Sequence, residues 1–352
     1  INLIDTPGSV EFLGKSISSL PAVETVMVVI DADNGIDTVT RRVMKIASER
    51  NLPRMIVISK IDHGGDVELL LESIQDSFCS VCQPINLPTG GGTGVIDCFK
   101  NTEGESDLGG VADFHEKIVD QVVEVDEDLM AKYLEDGAVS PAELHGPFEK
   151  ALREAHLVPI LFVAGKESIG VKELLDFIVE LCPNPKEGNP RSFEAGDGTV
   201  ITPTYDASGS LLAHVFKVAS DPYVGKLSAF KVHQGTMVGG SQPKVNDGRK
   251  PTRIAHLFHL NGKDHDEVPE IVAGDIGAVS KVENLHFNSI LHDGSLGESI
   301  HLKPLALPRP MFGLAIEAAT KAAETKLGDS LHKLLDEDPT LETERIAATE
   351  RK

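Results

Sequence analysis

Ile1-Asn2-Leu3-Ile4-Asp5-Thr6-Pro7-Gly8-Ser9 opens the chain: an apolar run, an acid, and at once a Pro-Gly turn. This is the pattern of a buried parallel strand that delivers a carboxylate and a backbone N–H to a site at its carboxyl end. It predicts a strand over Ile1–Asp5. Asp5 is then placed to hold a magnesium ion through water, and the N–H of Gly8 to face a terminal phosphate. An ordinary strand-to-loop turn has the same local sequence, so the rest of the chain has to decide between the two readings.

Two more apolar, β-branched runs come next, Val23–Ala32 (VETVMVVIDA) and Arg54–Ser59 (RMIVIS), and later a further one, Val158–Ala164 (VPILFVA). Between them the apolar residues recur at helical spacing: an irregular helix over Val10–Leu20, helices over Thr38–Arg50 and Asp66–Phe78, and one over Val171–Leu181. Strands alternating with helices imply a doubly wound parallel sheet whose site lies at the carboxyl ends of the strands. The block at about 84–157 is less regular. Gly90-Gly91-Gly92 reads as a hairpin turn, with no Gly-Lys-Ser/Thr behind it, and helices are expected near Ala112–Val123, Glu127–Glu135 and Pro141–Ala155.

After Pro183-Asn184-Pro185, residues 186–210 are rich in Pro, Gly and acids and read as a linker. From Leu211 the pattern changes to short alternating runs between turns (Leu212–Val218, Gly225–Val232, Arg253–Leu260, Ile276–Val282, Ile300–Leu302), the signature of an antiparallel barrel or sandwich. Beyond Pro308-Arg309-Pro310, Met311–Glu317 alternates like a strand, Thr320–Leu335 is helical, and Thr340–Ile346 reads as a second strand. The expected fold class is therefore multi-domain, α/β plus β. The expected domains are 1–185, with an insert at about 84–157, a linker at 186–210, a barrel at 211–307 and a partial third domain at 308–352.

The 352 residues carry a net charge of −22. Such a surface repels nucleic acid unless basic residues gather locally, so non-specific DNA binding is not expected. No apolar stretch is long enough for a transmembrane helix. Four cysteines, Cys79, Cys82, Cys98 and Cys182, fit a reducing cytoplasm, and the pair Cys79 and Cys82 lacks the partners of a zinc site. The chain opens on Ile1 with no Met and no leader, the beginning expected of an internal fragment.

Three loops at strand ends line up: Asp5-Thr6-Pro7-Gly8, Ser59-Lys60-Ile61-Asp62 and Ala164-Gly165-Lys166. Asp62 can accept two hydrogen bonds from N1 and N2 of guanine, a pairing that adenine cannot make. Lys60 can lay its aliphatic stem across the base, and backbone N–H groups of the third loop can reach O6.

With these loops, the chain resembles a translational GTPase of the elongation factor G type. Ile1–Phe12 is similar to the family's Asp-Thr-Pro-Gly-His-x-Asp-Phe segment, Ile56–Asp62 to its Asn-Lys-x-Asp loop, and Leu161–Leu174 to its Ser-Ala loop. Val215–Gly235 (VFKVASDPYVGKLSAFKVHQG) with Ala273-Gly274-Asp275-Ile276 resembles its second domain. Ala315–Pro339 resembles the first part of its third domain, of ferredoxin-like α+β type. Lys281–His286 (KVENLH) is similar to the elongation factor G-like paralogue group. The resemblance implies GTP/GDP and Mg as ligands, the ribosome (rRNA and ribosomal proteins) as partner, a cytoplasmic monomer, and movement driven by the nucleotide.

The departures bear on chemistry. Ser9 stands where the family carries the His that positions the attacking water, and its hydroxyl is too short to do so. Ser59 replaces the usual Asn, and Ala164-Gly165 replaces Ser-Ala. No G-x-x-x-x-G-K-[ST] occurs in these residues. In the family's sheet the strand before that loop lies between the strands read here as Ile1–Asp5 and Val23–Ala32. Without it the two strands are expected to be repaired, swapped or loosened. A non-catalytic ribosome-binding module with a decayed nucleotide site is the alternative function.

Overall fold

The computed structural model describes residues 1–136, 139–221, 225–303 and 305–344. The elements begin with α1 (Leu13–Ser19), flanked by 3-10 turns at Val10–Phe12 and Leu20–Ala22, then β1 (Val26–Asp31), α2 (Thr38–Glu49), β2 (Arg54–Ser59), α3 (Val67–Phe78) and β3 (Cys82–Pro84). There follow β4 (Asn86–Thr89), β5 (Gly94–Asp97), β6 (Glu105–Ser106), β7 (Gly109–Gly110), α4 (Val111–Val123), α5 (Glu127–Asp136), α6 (Pro141–Arg153), β8 (Val158–Phe162) and α7 (Val171–Glu180). Next are β9 (Phe193–Ala195), β10 (Val200–Ile201), β11 (Leu212–Asp221), β12 (Gly225–Gln234), β13 (Thr236–Val238), β14 (Lys244–Val245) and β15 (Leu257–Asn261). Last come β16 (Asp264–Val268), β17 (Glu270–Val272), β18 (Ile276–Ser280), β19 (Ile290–His292), β20 (Ile300–Leu302) and α8 (Lys321–Glu337). The chain divides into two compact units, residue 1 with 24–189, and 2–23 with 190–352.

The first unit is organised by four parallel strands in the order β1-β2-β8-β3. The two inner strands, β2 and β8, are buried along nearly their whole length, as continuous apolar runs require when helices cover both faces. One core joins this sheet to the block at 84–157: Met55, Val57 and Leu161 pack in the same cluster as Val111, Ile118, Phe148 and Phe177. The block is thus part of the same core, and Gly90–Gly92 turns the β4–β5 hairpin as the glycines predict.

Strand β3 is short, and Asn86 completes its work. The N–H of Ile85 donates to the carbonyl of Ile160 (2.8 Å), after which the chain leaves β8. The Asn86 amide then takes the place of backbone: its Nδ2 donates to the carbonyl of Phe162 (3.1 Å), and its Oδ1 accepts from the N–H of Phe162 (2.7 Å). Asn86 is 1% exposed, so these groups have no water to turn to.

Ile1–Asp5 is not a strand, which corrects the sequence expectation. It takes no part in any sheet of the described residues, and β1 is an edge strand of the parallel sheet. The two segments share no ladder among the described residues, so repair by direct pairing is not what is seen. The physical reason is that a strand exists through its ladder, and this short run has none. Ile1 and Leu3 are exposed. Only Ile4 finds an apolar setting, and it lies in the second unit, against a cluster of Ala22, Phe216 and Ala229. Along β1 burial alternates, leaving Met27 and Val29 exposed on one face.

The second unit is antiparallel. A seven-stranded sheet runs β14-β19-β11-β12-β18-β15-β16, with a β13–β17 pair and a smaller β10-β9-β20 sheet. Its main core includes Ala213, Val215, Phe230, Val232, Ile254 and Leu291. The stretch read as a linker is partly ordered into sheet: β9 pairs with β10 and β20, and Phe193 is buried with Leu212 and Ile290. Its polar composition hid two apolar anchors, Phe193 and Ala195. Met311–Glu317 forms no strand, because its alternation meets no partner edge, and Met311, Phe312 and Leu314 are exposed. Thr340–Glu344 also forms no strand, and Ile346 lies outside the described residues, as do Pro222–Val224 of the barrel motif. α8 is tied to the barrel mainly by charge. Lys226 Nζ lies 2.8 Å and His286 Nδ1 2.7 Å from the Asp336 carboxylate, and the N–H of Ser220 donates to Glu337.

Three histidines in this unit, His214, His233 and His292, are fully buried. Burial pushes the His214 imidazole down to about 4 from 6.5, with Asn288 pulling weakly the other way. Burial, and then the charge of Lys231, push His233 down as well. The His214 and His233 rings are therefore neutral in the folded state and take up protons on unfolding, so stability is present above pH 6.5 and is lost as pH falls toward 4. A shift of this size in one group withdraws about 3 kcal/mol. The thermal midpoint of this unit should therefore fall steeply across that interval, and His214→Gln should flatten the fall. The check is calorimetry at a series of pH values.

Candidate functional site

The second and third loops belong to one unit and are joined directly. Ser59, Lys60 and Asp62 follow β2, while Ala164, Gly165 and Lys166 follow β8, its neighbour in the sheet. The N–H of Ile61 donates to the carbonyl of Val163 (3.4 Å). Lys60 has a left-handed backbone (φ 62), unusual for a side chain of this size. Its ammonium is 2.5 Å from the Asp31 carboxylate at the end of β1. That hydrogen bond, with the N–H of Asp33, holds the Asp31 carboxyl down at about 2, and raises the Lys60 ammonium. The pair fixes the head of Lys60 at the edge of the loop and leaves its stem to cover a planar group.

Asp62 is the chemically open group. Its side chain is 23% exposed, and among the described residues its nearest charged neighbour is His63 Nε2, at 4.0 Å. No hydrogen bond within the described residues uses its carboxylate. His63 itself is turned to Asp33 (2.9 Å). In the third loop Ala164 is pinned by two backbone bonds with Ile169 (2.9 and 3.0 Å), while the N–H groups of Gly165 and Lys166 have no acceptor among the described residues. The first of these two joined loops thus offers a double acceptor and the second offers donors. This is the complement of a planar group with N–H donors on one edge and a carbonyl oxygen beside them. Ser59 is half-buried, and its hydroxyl reaches the carbonyl of Ile30 at 3.4 Å.

The first loop belongs to the other unit. Asp5, Pro7, Gly8 and Ser9 are exposed and Thr6 is half-buried. The carbonyl of Pro7 accepts from the Ser16 hydroxyl (3.1 Å), and the carbonyl of Ser9 from the N–H of Phe12 (3.1 Å), so the loop folds back on the start of α1. Asp5 is a single exposed carboxylate, a donor of the type that a water-mediated magnesium contact uses. Among the described residues no group of three or more His, Cys, Asp or Glu is placed to hold a metal directly.

Two supporting residues escaped the sequence reading. Asp31 is one; the acids closing the apolar run were its only signal. Gly92 is the other. It has φ +82, and a Cβ there would meet the carbonyl oxygen of Ile61 at 2.0 Å, so the hairpin turn presses directly on the Lys60–Asp62 loop. The Asp107 carboxylate accepts from the N–H of Gly91 (2.9 Å) and of Gly92 (3.2 Å) and holds the turn there. The triple glycine signalled a turn but not what it touches. Gly92→Ala should cost about 1–3 kcal/mol in unfolding free energy. It should also speed amide exchange at Lys60–His63 ahead of the rest of the sheet, which exchange mass spectrometry reads.

Comparison with known proteins agrees with this architecture. Residues 1–184 match the family model "Elongation factor Tu GTP binding domain", residues 210–294 match "Elongation factor G domain 2", and residues 307–351 match "Elongation Factor G, domain III". A crystal structure of a protein from Thermus thermophilus superposes with a TM-score of 0.82 at 32% identity, covering 99% of this chain and 52% of the other. The chain thus spans about half the length of that protein. No helix among the described residues is long and apolar enough to cross a membrane. The three successive domain matches, with the joined loops after β2 and β8, assign this chain to the elongation factor G-like translational GTPases.

Proposed function

We propose that this chain carries the guanine-recognition and γ-phosphate-sensing parts of a ribosome-associated translation factor of the elongation factor G-like type. The observation that carries the reading is the Asp62 carboxylate, without a hydrogen-bond partner among the described residues and on a loop joined to free N–H groups of Gly165 and Lys166. Asp62 takes N1 and N2 of guanine, Gly165 and Lys166 supply donors for O6, Ala164 and Ser59 shape the loops, and Lys60 covers the base. Asp5 to Gly8 sense the terminal phosphate, with Asp5 contacting magnesium through water. A bound magnesium supplies charge neutralisation at the phosphates.

The division we propose is 1–185, 211–307 and a partial third domain from 308, with part of the 186–210 stretch folded into sheet as β9 and β10. Ser9 leaves the attacking water without the base that the family uses, so the expected behaviour is a switch with little turnover. The same residue favours the second reading, an interaction module that binds the ribosome without cutting GTP. The exposed cations Arg249, Lys250, Arg253 and Lys263 have no ion-pair partner among the described residues and suit RNA phosphates in either case.

Calorimetric titration with GDP, GTP and ADP tests the site. The wild type should prefer guanine nucleotides, and Asp62→Asn, which replaces an acceptor by a donor, should lower that affinity by about 100-fold. Equal affinity for ADP and GDP would overturn the assignment. Hydrolysis in the presence of ribosomes should rise at least about tenfold in Ser9→His if Ser9 is what limits it. Guanine binding with no turnover in either form favours a switch that does not cut, and no nucleotide binding at all favours the interaction module.

A further inference from the structure

The loop that carries Asp5–Ser9 is a span between two anchored ends, and both anchors are on the barrel. At one end Asn2 Nδ2 donates to Asp275 (2.9 Å), and Ile4 packs with Ala22, Phe216, Ala229 and Ile276. At the other, two cations grip the carbonyls that close the α1 segment. Arg191 Nη2 donates to the carbonyl of Leu20 (3.0 Å), and Lys231 Nζ to the carbonyl of Ala22 (3.0 Å). Between the anchors the loop is exposed.

Lys231 is the unusual member. It lies in the middle of β12 and is 1% exposed. Burying an ammonium is expensive, and an apolar residue of the same length is often equal or better for stability alone. Its position answers a different need. The last carbonyls of a helical segment carry the negative end of its dipole; here that of Leu20 accepts only a long backbone bond, from the N–H of Val23 (3.5 Å), and that of Ala22 has no backbone donor among the described residues, so a cation there fixes where the segment ends. Leu13, Ile17, Leu20 and Ala22 bury the face of this segment, but apolar contacts are non-directional and do not set its register. Directed bonds from β12 and from Arg191, just before β9, do.

We infer that Lys231 and Arg191 are positioning residues that clamp the helical segment following the Asp5–Ser9 loop to the barrel, so that the barrel sets where that loop stands. The role given to the loop rests on the proposed function, whereas the clamp itself does not. A movement of β12 is thereby passed to the loop without any contact between the barrel and a nucleotide.

Amide hydrogen exchange on the 352-residue chain tests the clamp, with Lys231→Met as the apolar isostere, Lys231→Arg as the conservative variant and Arg191→Gln as the second anchor. In Lys231→Met and in Arg191→Gln, peptides covering Leu13–Ala22 should exchange at least tenfold faster while β11 and β12 keep their protection. Lys231→Arg should restore the wild-type pattern. Unchanged exchange at Leu13–Ala22 would overturn the inference, and so would an equal loss of protection along β12, which would make Lys231 a general structural group. Nucleotide titration of the same samples separates the two proposals. A Lys231 effect without guanine binding contradicts the proposed function and leaves the clamp standing, and binding without a Lys231 effect does the reverse.

Discussion

The pairing of buried backbone groups along β8 is the constraint on which the first unit depends. β8 is covered on both faces, so none of its N–H or C=O groups can turn to water. β2 satisfies one edge. β3 satisfies the first part of the other edge, and the side chain of Asn86 finishes it at Phe162. Because that edge is closed up to Phe162, the chain leaves the sheet at a defined point, and the loop from Val163 to Lys166 starts beside the start of the neighbouring loop from Ser59. The backbone positions of Asp62, Gly165 and Lys166 follow from this register. The pressure of Gly92 on Ile61 and the Lys60–Asp31 pair then hold the loop in a backbone conformation that it would not choose alone.

The second unit obeys a different logic. Its barrel closes on an apolar core, but its outer layer is held with polar groups: buried histidines, the lysine of β12, and the Asp336 contacts that fix α8. Directional bonds of this kind add less net stability than apolar burial, but they specify position. The loop bearing Asp5 to Ser9 is attached to this layer. The loops after β2 and β8 are thus built on strand ends, and the loop bearing Asp5 to Ser9 on the barrel.

Much of the fold was legible in the sequence. Arg54–Ser59 and Val158–Phe162 read as strands because an uninterrupted β-branched run of that length has few alternatives, and the helices over Thr38–Glu49, Val67–Phe78 and Val171–Glu180 announced themselves by spacing; the structure adds Asp37 and Asp66 as the caps of two of them. The failures share a cause. Ile1–Asp5 and Met311–Glu317 have strand-like alternation, but a strand also needs a neighbour, and period says nothing about partners. Conversely, Phe193–Ala195 looked like linker because two apolar residues among Pro, Gly and acids are too few to show a period. The sequence proposed three loops, of which the structure joins the second and third in one unit. Asn86, Asp31 and Gly92, which brace the loops after β2 and β8, were not legible there, since each acts through a contact distant in sequence.

The central claim is that the joined loops after β2 and β8 form a guanine site. Amide chemical-shift mapping of the chain with guanosine and with adenosine nucleotides tests it most directly. The account predicts perturbations concentrated at Ser59–His63 and Ala164–Lys166 with the guanosine nucleotide and none at those residues with the adenosine one. Equal perturbation by both, or shifts confined to residues outside these two loops, would contradict it.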